Sequence, residues 1–480
     1  MKKLLVLFAV AISIVGEAFA GDYLTNTNQS IAYLRMIARG ATSDIDAVYY
    51  NPAGLAWAKK DGWALSLNIQ SAYQNRDIYA TYAVNNYLGY NGTPESVKSN
   101  NFAKKYTGEA KAPVLPSVYL TYKKNKWVAS FGFGVVGGGG NAKFKKGLPM
   151  FDSQVQFGIA NNQALAGMVG LLAQNGAPVT SAHDLYDINS ALNGKQILFG
   201  AQLGATYKVT DWFSVFGGLR FNYFTGGYDG YLYADMKEAY APIYMQATQQ
   251  QSATLTKIVL DCEQTGFGVT PILGASFKFK KLTLAGKYEF KANMELENDT
   301  KELEGPQGSD ALNAYADGVK TANDIPAFLS VAAGYEFLPY LRATFEYHRF
   351  MDKQADMAGG KEKFLKHGTN EYLAGLEWDI CKLVTVSAGY QLTDYGLSDD
   401  FQSDVAFSCD SYAVGFGGAL NLSKCVKLNV AYFFSKYQNY NMDFTNYHAI
   451  SQTMTVPSVQ GAKVYKRTNQ VFGLGVDFTF

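Results

Sequence analysis

The sequence predicts an all-β chain: a transmembrane β-barrel of about 14 antiparallel strands, entered by an N-terminal plug. Three observations carry this. From Trp63 to Phe480 apolar and polar residues alternate with a period of two. Tight connections between the alternating stretches alternate with long ones, as they do in outer-membrane barrels. The chain also holds 34 Tyr and 31 Phe, which suits aromatic girdles at two membrane interfaces.

At the N-terminus, Met1-Lys2-Lys3 is a basic start, Leu4 to Val15 an apolar run, and Ala18-Phe19-Ala20 a small-residue cleavage site. Residues 1–20 are therefore expected to be a signal peptide. The run is shorter than the roughly 20 residues of a spanning helix, and nothing as long and apolar follows it. Residues 21–60 form the predicted plug. Ser30 is placed to cap a short helix with Ile31, Leu34 and Ile37 on one face, and Gly40 to stop it. The next feature is Asn51-Pro52-Ala53-Gly54-Leu55. Pro52 fixes its own φ and pushes Asn51 out of the α region, and Gly54 tolerates positive φ, so a rigid turn is expected here.

Residues 61–480 make the predicted barrel. Tight turns fall at 123–126, 208–211, 279–281, 338–340, 380–382 and 423–425. The long connections are expected at 74–112, 137–195, 225–263, 291–325, 351–368, 395–408 and 438–467, with a loop helix over 311–323. An even strand count with tight turns on one side places both termini in the periplasm, and the apolar loop segments 164–172 and 240–245 outside. The last strand alternates Phe472, Leu474, Val476, Phe478 and Phe480 with Gly473, Gly475, Asp477 and Thr479.

Composition narrows the function. A formal net charge of +1 gives no basic surface for nucleic acid. Cys262, Cys381, Cys409 and Cys425 lack metal-site spacing, and no cofactor motif is present. An oxidising compartment permits disulfides, and strand order favours Cys381–Cys425 over Cys262–Cys409. The four histidines, His183, His348, His367 and His448, form no zinc pair, and no nucleophile elbow is present. His183-Asp184 reads as a solvated loop pair, so no enzyme activity is expected.

Strand parity turns Arg342, Thr344, Glu346 and His348 inward, together with Arg220, Lys287, Glu289, Lys427 and Asn429. A wet lumen accounts for such charges. Arg220, Lys287 and Arg342 are also candidates for holding a ligand carboxylate, and the alternation does not choose among them. Gly132, Gly134 and the four-glycine run from Gly137 weaken pairing of the third strand and permit bulges or bends, and the run itself reads equally well as a flexible outer loop.

The stretch Ala38-Arg39-Gly40-Ala41, then Asp44 to Asp46, then Ala47-Val48-Tyr49-Tyr50-Asn51-Pro52-Ala53-Gly54-Leu55-Ala56 resembles the plug signature of the FadL family. The resemblance implies an outer-membrane protein of a Gram-negative cell that passes long-chain fatty acids or similar hydrophobic compounds by passive diffusion. It also implies capture by outer loops, a pocket inside the barrel, and lateral release beside a kinked third strand and the Asn51-Pro52-Ala53 turn, with Gly132, Gly134 and Gly137 as the candidate gate. Expected partners are the hydrophobic ligand and outer-membrane lipid or lipopolysaccharide. The alternative is a FadL-like, PorV-type partner in a protein-secretion complex; a general polar porin fits less well, since a plug would block its lumen.

Overall fold

A computed structural model describes residues 26–84, 101–160, 163–179, 182–306, 309–447 and 459–480. The expected signal peptide and His448 lie outside the described residues.

The strands are β1 (Gly62–Val84), β2 (Asn101–Lys124), β3 (Trp127–Phe144), β4 (Tyr186–Lys208), β5 (Phe213–Met236), β6 (Thr254–Phe279), β7 (Leu282–Glu289), β8 (Glu295–Glu304), β9 (Lys320–Ala322), β10 (Phe328–Leu338), β11 (Leu341–Phe350), β12 (Asn370–Asp379), β13 (Val384–Asp394), β14 (Ser411–Asn421), β15 (Val426–Tyr437), β16 (Tyr440–Tyr447) and β17 (Val459–Thr479). All pairings are antiparallel, and β1 pairs with β17 from Ala64↔Thr479 to Val84↔Val459, which closes the sheet. β8, β9 and β16 prolong β7, β10 and β15, so seventeen segments make fourteen staves. Closure removes the two outer edges that an open sheet would leave in hydrocarbon.

The outer wall carries the alternation that the sequence shows. Along β11 Phe345 is 65% exposed while Thr344, Glu346 and His348 are buried inside. At the end with the short turns Trp63 packs on Tyr122, Trp127 on Tyr207, and Trp212 on Phe277 and Phe279, giving one aromatic girdle. In β1 the exposed Trp63 and Tyr73 bracket Leu67 and Ile69, a span matching the ~10 residues with which a tilted strand crosses a bilayer.

Several expected loops are strand instead. β1 to β6 run well past the apolar band, β6 over 26 residues, because pairing satisfies backbone groups that open loops would leave to water. The stretch 164–172 lies in the helix Gln163–Gln174, and 240–245 forms the N-cap and first residues of the helix Ala241–Thr248. Leu165, Met168 and Tyr244 there share one apolar cluster with Leu232, although Leu171 stays 64% exposed. The helix expected over 311–323 is only Asp310–Asn313. Beyond it the carbonyls of Ala314, Tyr315 and Ala316 accept from Asn298 and Thr300, so β8 captures the segment, and Gly318 turns at φ 70° into β9.

Candidate functional site

The plug fills the middle of the lumen. Ser30 caps the helix Ile31–Met36, its Oγ accepting from the Tyr33 N–H. The helix ends at Ile37, at φ 57°, rather than at Gly40. Gly40 serves close approach instead: its N–H donates to Glu346, and a Cβ would lie 2.5 Å from the Glu346 carboxylate. Arg39 forks onto Asp46 at 2.8 and 2.9 Å and reaches Asp44 at 2.9 Å, tying the plug to itself.

The expected turn at Asn51 is the start of a 3-10 helix, Pro52–Trp57. Asn51 caps it, accepting from the Gly54 N–H at 3.2 Å and donating to Thr42 O at 3.0 Å. Gly54 does not take positive φ. It is needed because a Cβ would stand 2.4 Å from the Thr42 carbonyl. Pro52 O and Ala53 O accept from Thr206 and Ser214, so the motif docks chiefly on β4 and β5 rather than against a bent third strand.

The candidate carboxylate binders already hold carboxylates of the chain. Arg220 is bidentate to Glu289 at 2.6 and 2.9 Å. Lys287 reaches Glu289 at 2.7 Å and Tyr49 O at 2.6 Å. Both cations also lie over the Tyr49 ring, which makes the cluster a plug anchor. Arg342 spans Asp379 and Glu377 at the edge of a 1050 Å³ cavity that opens at the short-turn end.

The candidate gate is placed more narrowly than the glycines suggested. Gly132 and Gly134 sit in regular ladders, opposite Tyr119 and Ser117, and their inward faces make room for Val48 and Gln29. The break lies above them. Between Lys111↔Asn141 and Ser117↔Gly134 the β2–β3 ladder is absent, leaving 112–116 and 135–140 unpaired with each other. Gly137 lies in this break, where β3 also bulges against β4. Physically, Pro113 and Pro116 cannot donate on the β2 side, and the glycine run bends the β3 side. The plug supplies donors instead, from Asn26 N to Val136 O and from Gln29 to Val135 O.

Behind this break lies a cavity of about 380 Å³, within the range of small-molecule sites. Its apolar lining includes Tyr33, Ala72, Ala413, Phe433 and Val471. Arg76 and Arg467, direct register partners on β1 and β17, line it toward the long-loop end. Both donate to Gln74 Oε1, at 2.6 and 3.3 Å, and Arg467 also donates to Phe407 O at 3.1 Å. Sequence reasoning missed this pair because both fell in expected loops. The signal was present: Gln74, Arg76, Ile78 and Ala80 continue the inward parity of β1. Across the cavity Glu371 is held by His348 and Gln391, and Gln391 in turn by the Tyr33 hydroxyl.

The four cysteines are free, so neither expected disulfide forms: Cys381 and Cys425 are exposed at separate short turns, and Cys262 and Cys409 are buried.

Fold and site together define a plugged, membrane-spanning barrel whose wall is broken beside an internal cavity. Its backbone is similar to the crystal structure of a Pseudomonas aeruginosa FadL homologue (TM-score 0.62, 14% identity, covering 95% of this chain and 99% of that one). It is also similar to the P. putida toluene transporter TodX (TM-score 0.51, 13% identity, 92% and 95% covered). A TodX deltaS2 mutant, described as a monoaromatic hydrocarbon channel, gives a TM-score of 0.52 at 13% identity, with 94% and 98% covered. The chain thus has the FadL-type fold, as the plug signature implied. No family model matches the sequence, and no curated protein sequence matches it.

Proposed function

We propose that this protein resides in the outer membrane and admits a hydrophobic small molecule by passive diffusion, releasing it sideways into the bilayer between β2 and β3. The observation that carries this is the interrupted β2–β3 ladder opening on an internal cavity, in a barrel whose axis is filled by the plug. A greasy solute gains nothing from a water-filled pore, whereas a wall opening at membrane depth hands it from one apolar surface to another. Val114, 62% exposed in the break, and Leu115 offer such a surface. The short-turn end, with Gly62 and Phe480, then faces the periplasm. The similar structures, a FadL homologue and a toluene transporter, support this ligand class.

The cavity suits an amphiphile such as a long-chain fatty acid, with its carboxylate at Arg76 and Arg467 and its chain along Phe433 and Val471 toward the break. The test is extraction and mass spectrometry of the purified protein, beside cellular uptake of a labelled long-chain fatty acid and of labelled toluene. Bound apolar ligand and uptake that depends on the protein support the reading. Empty protein, no uptake, and co-purification with a large secretion barrel would instead favour the secretion-partner role.

A further inference from the structure

The segment after β13 does not stand out in solvent. From Phe401 to Cys409 every residue except Val405 is buried, as the segment turns down into the long-loop end of the barrel. Its base is clipped by two hydrogen bonds between residues 402 and 408: Gln402 donates to Ser408 O at 2.8 Å, and the Ser408 N–H donates to Gln402 Oε1 at 3.1 Å. Within the clip Ser403 Oγ donates to Ala406 O and accepts from Ala406 N. The result is a closed unit that can move as one body.

Its tip is latched chiefly through Asp404, with Lys361 donating to Ser403 Oγ at 3.3 Å and Arg467 to Phe407 O at 3.1 Å as further ties. Asp404 accepts from Lys463 at 3.0 and 3.1 Å, from the Tyr465 hydroxyl at 2.9 Å and from Met150 N at 2.7 Å. Both ends of this ion pair are only 1% exposed. Phe407 packs on Tyr465 with ring centroids 4.7 Å apart and planes tilted by 32°, and Ser408 lines the 380 Å³ cavity. Val405 and Ala406 face Phe144 and Tyr228 across a gap of only about 30 Å³. A buried charge is costly unless it is paired and hydrogen-bonded, and Asp404 meets both conditions only with the segment folded in.

We infer that residues 402–408 are a stopper, a second closure in series with the plug, which seals the cavity from the long-loop end and must swing out when a solute enters from that side. The inference goes beyond the transport reading and does not depend on which solute is carried. The stopper leaves the β2–β3 break as the cavity's free exit, so inward entry and sideways release have separate doors.

Cys409, buried directly behind the clip, is a native reporter. Burial pushes its thiol up to about 11, so it reacts slowly while covered. With Cys262→Ala, Cys381→Ala and Cys425→Ala as background, a small methanethiosulfonate is added to the purified full chain. Asp404→Ala and, independently, Gln402→Leu are expected to raise the Cys409 modification rate at least tenfold, with heat-modifiable gel migration verifying a folded barrel. Rates within twofold of the background in a folded variant overturn the stopper. In a second arm, with Cys409→Ala added to the background, Asp404→Cys and Lys463→Cys are bridged by a short bis-thiol linker. Uptake of a labelled long-chain fatty acid should fall at least fivefold against either single-cysteine control, and unimpaired uptake in the bridged protein refutes the gate. If even the wild type takes up no probe, the transport reading fails, and the Cys409 rates still decide the stopper.

Discussion

Alanine at Gly389 and Gly415 should unseat the plug without unfolding the barrel. These inward glycines of β13 and β14 form the surface on which the helix Ile31–Met36 rests. A Cβ at Gly389 would stand 1.9 Å from Met36 O, and one at Gly415 2.0 Å from Leu34 O. Ordinary contact needs about 3.5 Å, so the helix must retreat by roughly 1.5 Å. Both obstacles are backbone atoms, which no side-chain rotation relieves. Overpacking of this kind costs about 1–3 kcal/mol per site. The two sites press on one helix, so their effects overlap rather than add. Retreat also strains the Tyr33–Gln391 hydrogen bond and the Arg35–Glu377 ion pair, both buried. The assay is ion conductance of purified protein in planar bilayers, beside antibiotic sensitivity of cells. Gly217→Ala is the control, since its Cβ would meet no heavy atom within 4 Å. The double variant should conduct and sensitise; the control should be silent. If the double variant matches the control in both assays, the plug does not depend on this close approach and the packing argument is wrong.

Three further outcomes follow from the site. Arg76→Gln with Arg467→Gln should weaken binding of a labelled long-chain fatty acid by roughly 10–100-fold, on the ~1.5–3 kcal/mol of a hydrogen bond to a charged group, while toluene uptake holds; equal loss of both would refute the head-group assignment. Gly137→Val with Pro113→Thr should restore strand-forming residues and a donor across the break, so uptake of either probe drops while gel migration stays that of a folded barrel; undiminished uptake would exclude this break as the exit. The Lys427 ammonium, 3.7 Å away, and then Arg39 hold Asp44 well below the usual carboxylate range. A depressed carboxylate contributes stability above its unfolded value, near 4, and loses it as pH falls through the folded one. Plug release, read as conductance, should therefore rise only below about pH 4, and Asp44→Asn should release the plug more readily at neutral pH; a pH-independent plug in wild type would refute this.

Local periodicity alone sets much of the barrel. Alternation over β10 to β15 sets strand, face and turn together, so it alone turns Arg342, Glu346 and His348 inward. The Ser30 cap was equally local, since it needs only a hydroxyl three residues before an N–H. The tertiary structure decided what depends on partners far away in the chain. Whether Arg220 awaits a ligand or clasps Glu289 is settled by residues 69 positions apart. Gly40 reads as a helix stop and Gly54 as a turn residue free to take positive φ, and only the neighbours at Glu346 and Thr42 show that they are contact glycines. The break was half written in Pro113, Pro116 and the glycine run, yet two interrupted strands make an opening only when the closed barrel lays them side by side. The stopper was invisible for the same reason: Phe401 to Cys409 has no period, and its burial is set by Lys463, Tyr465 and Met150, which the fold alone brings around Asp404.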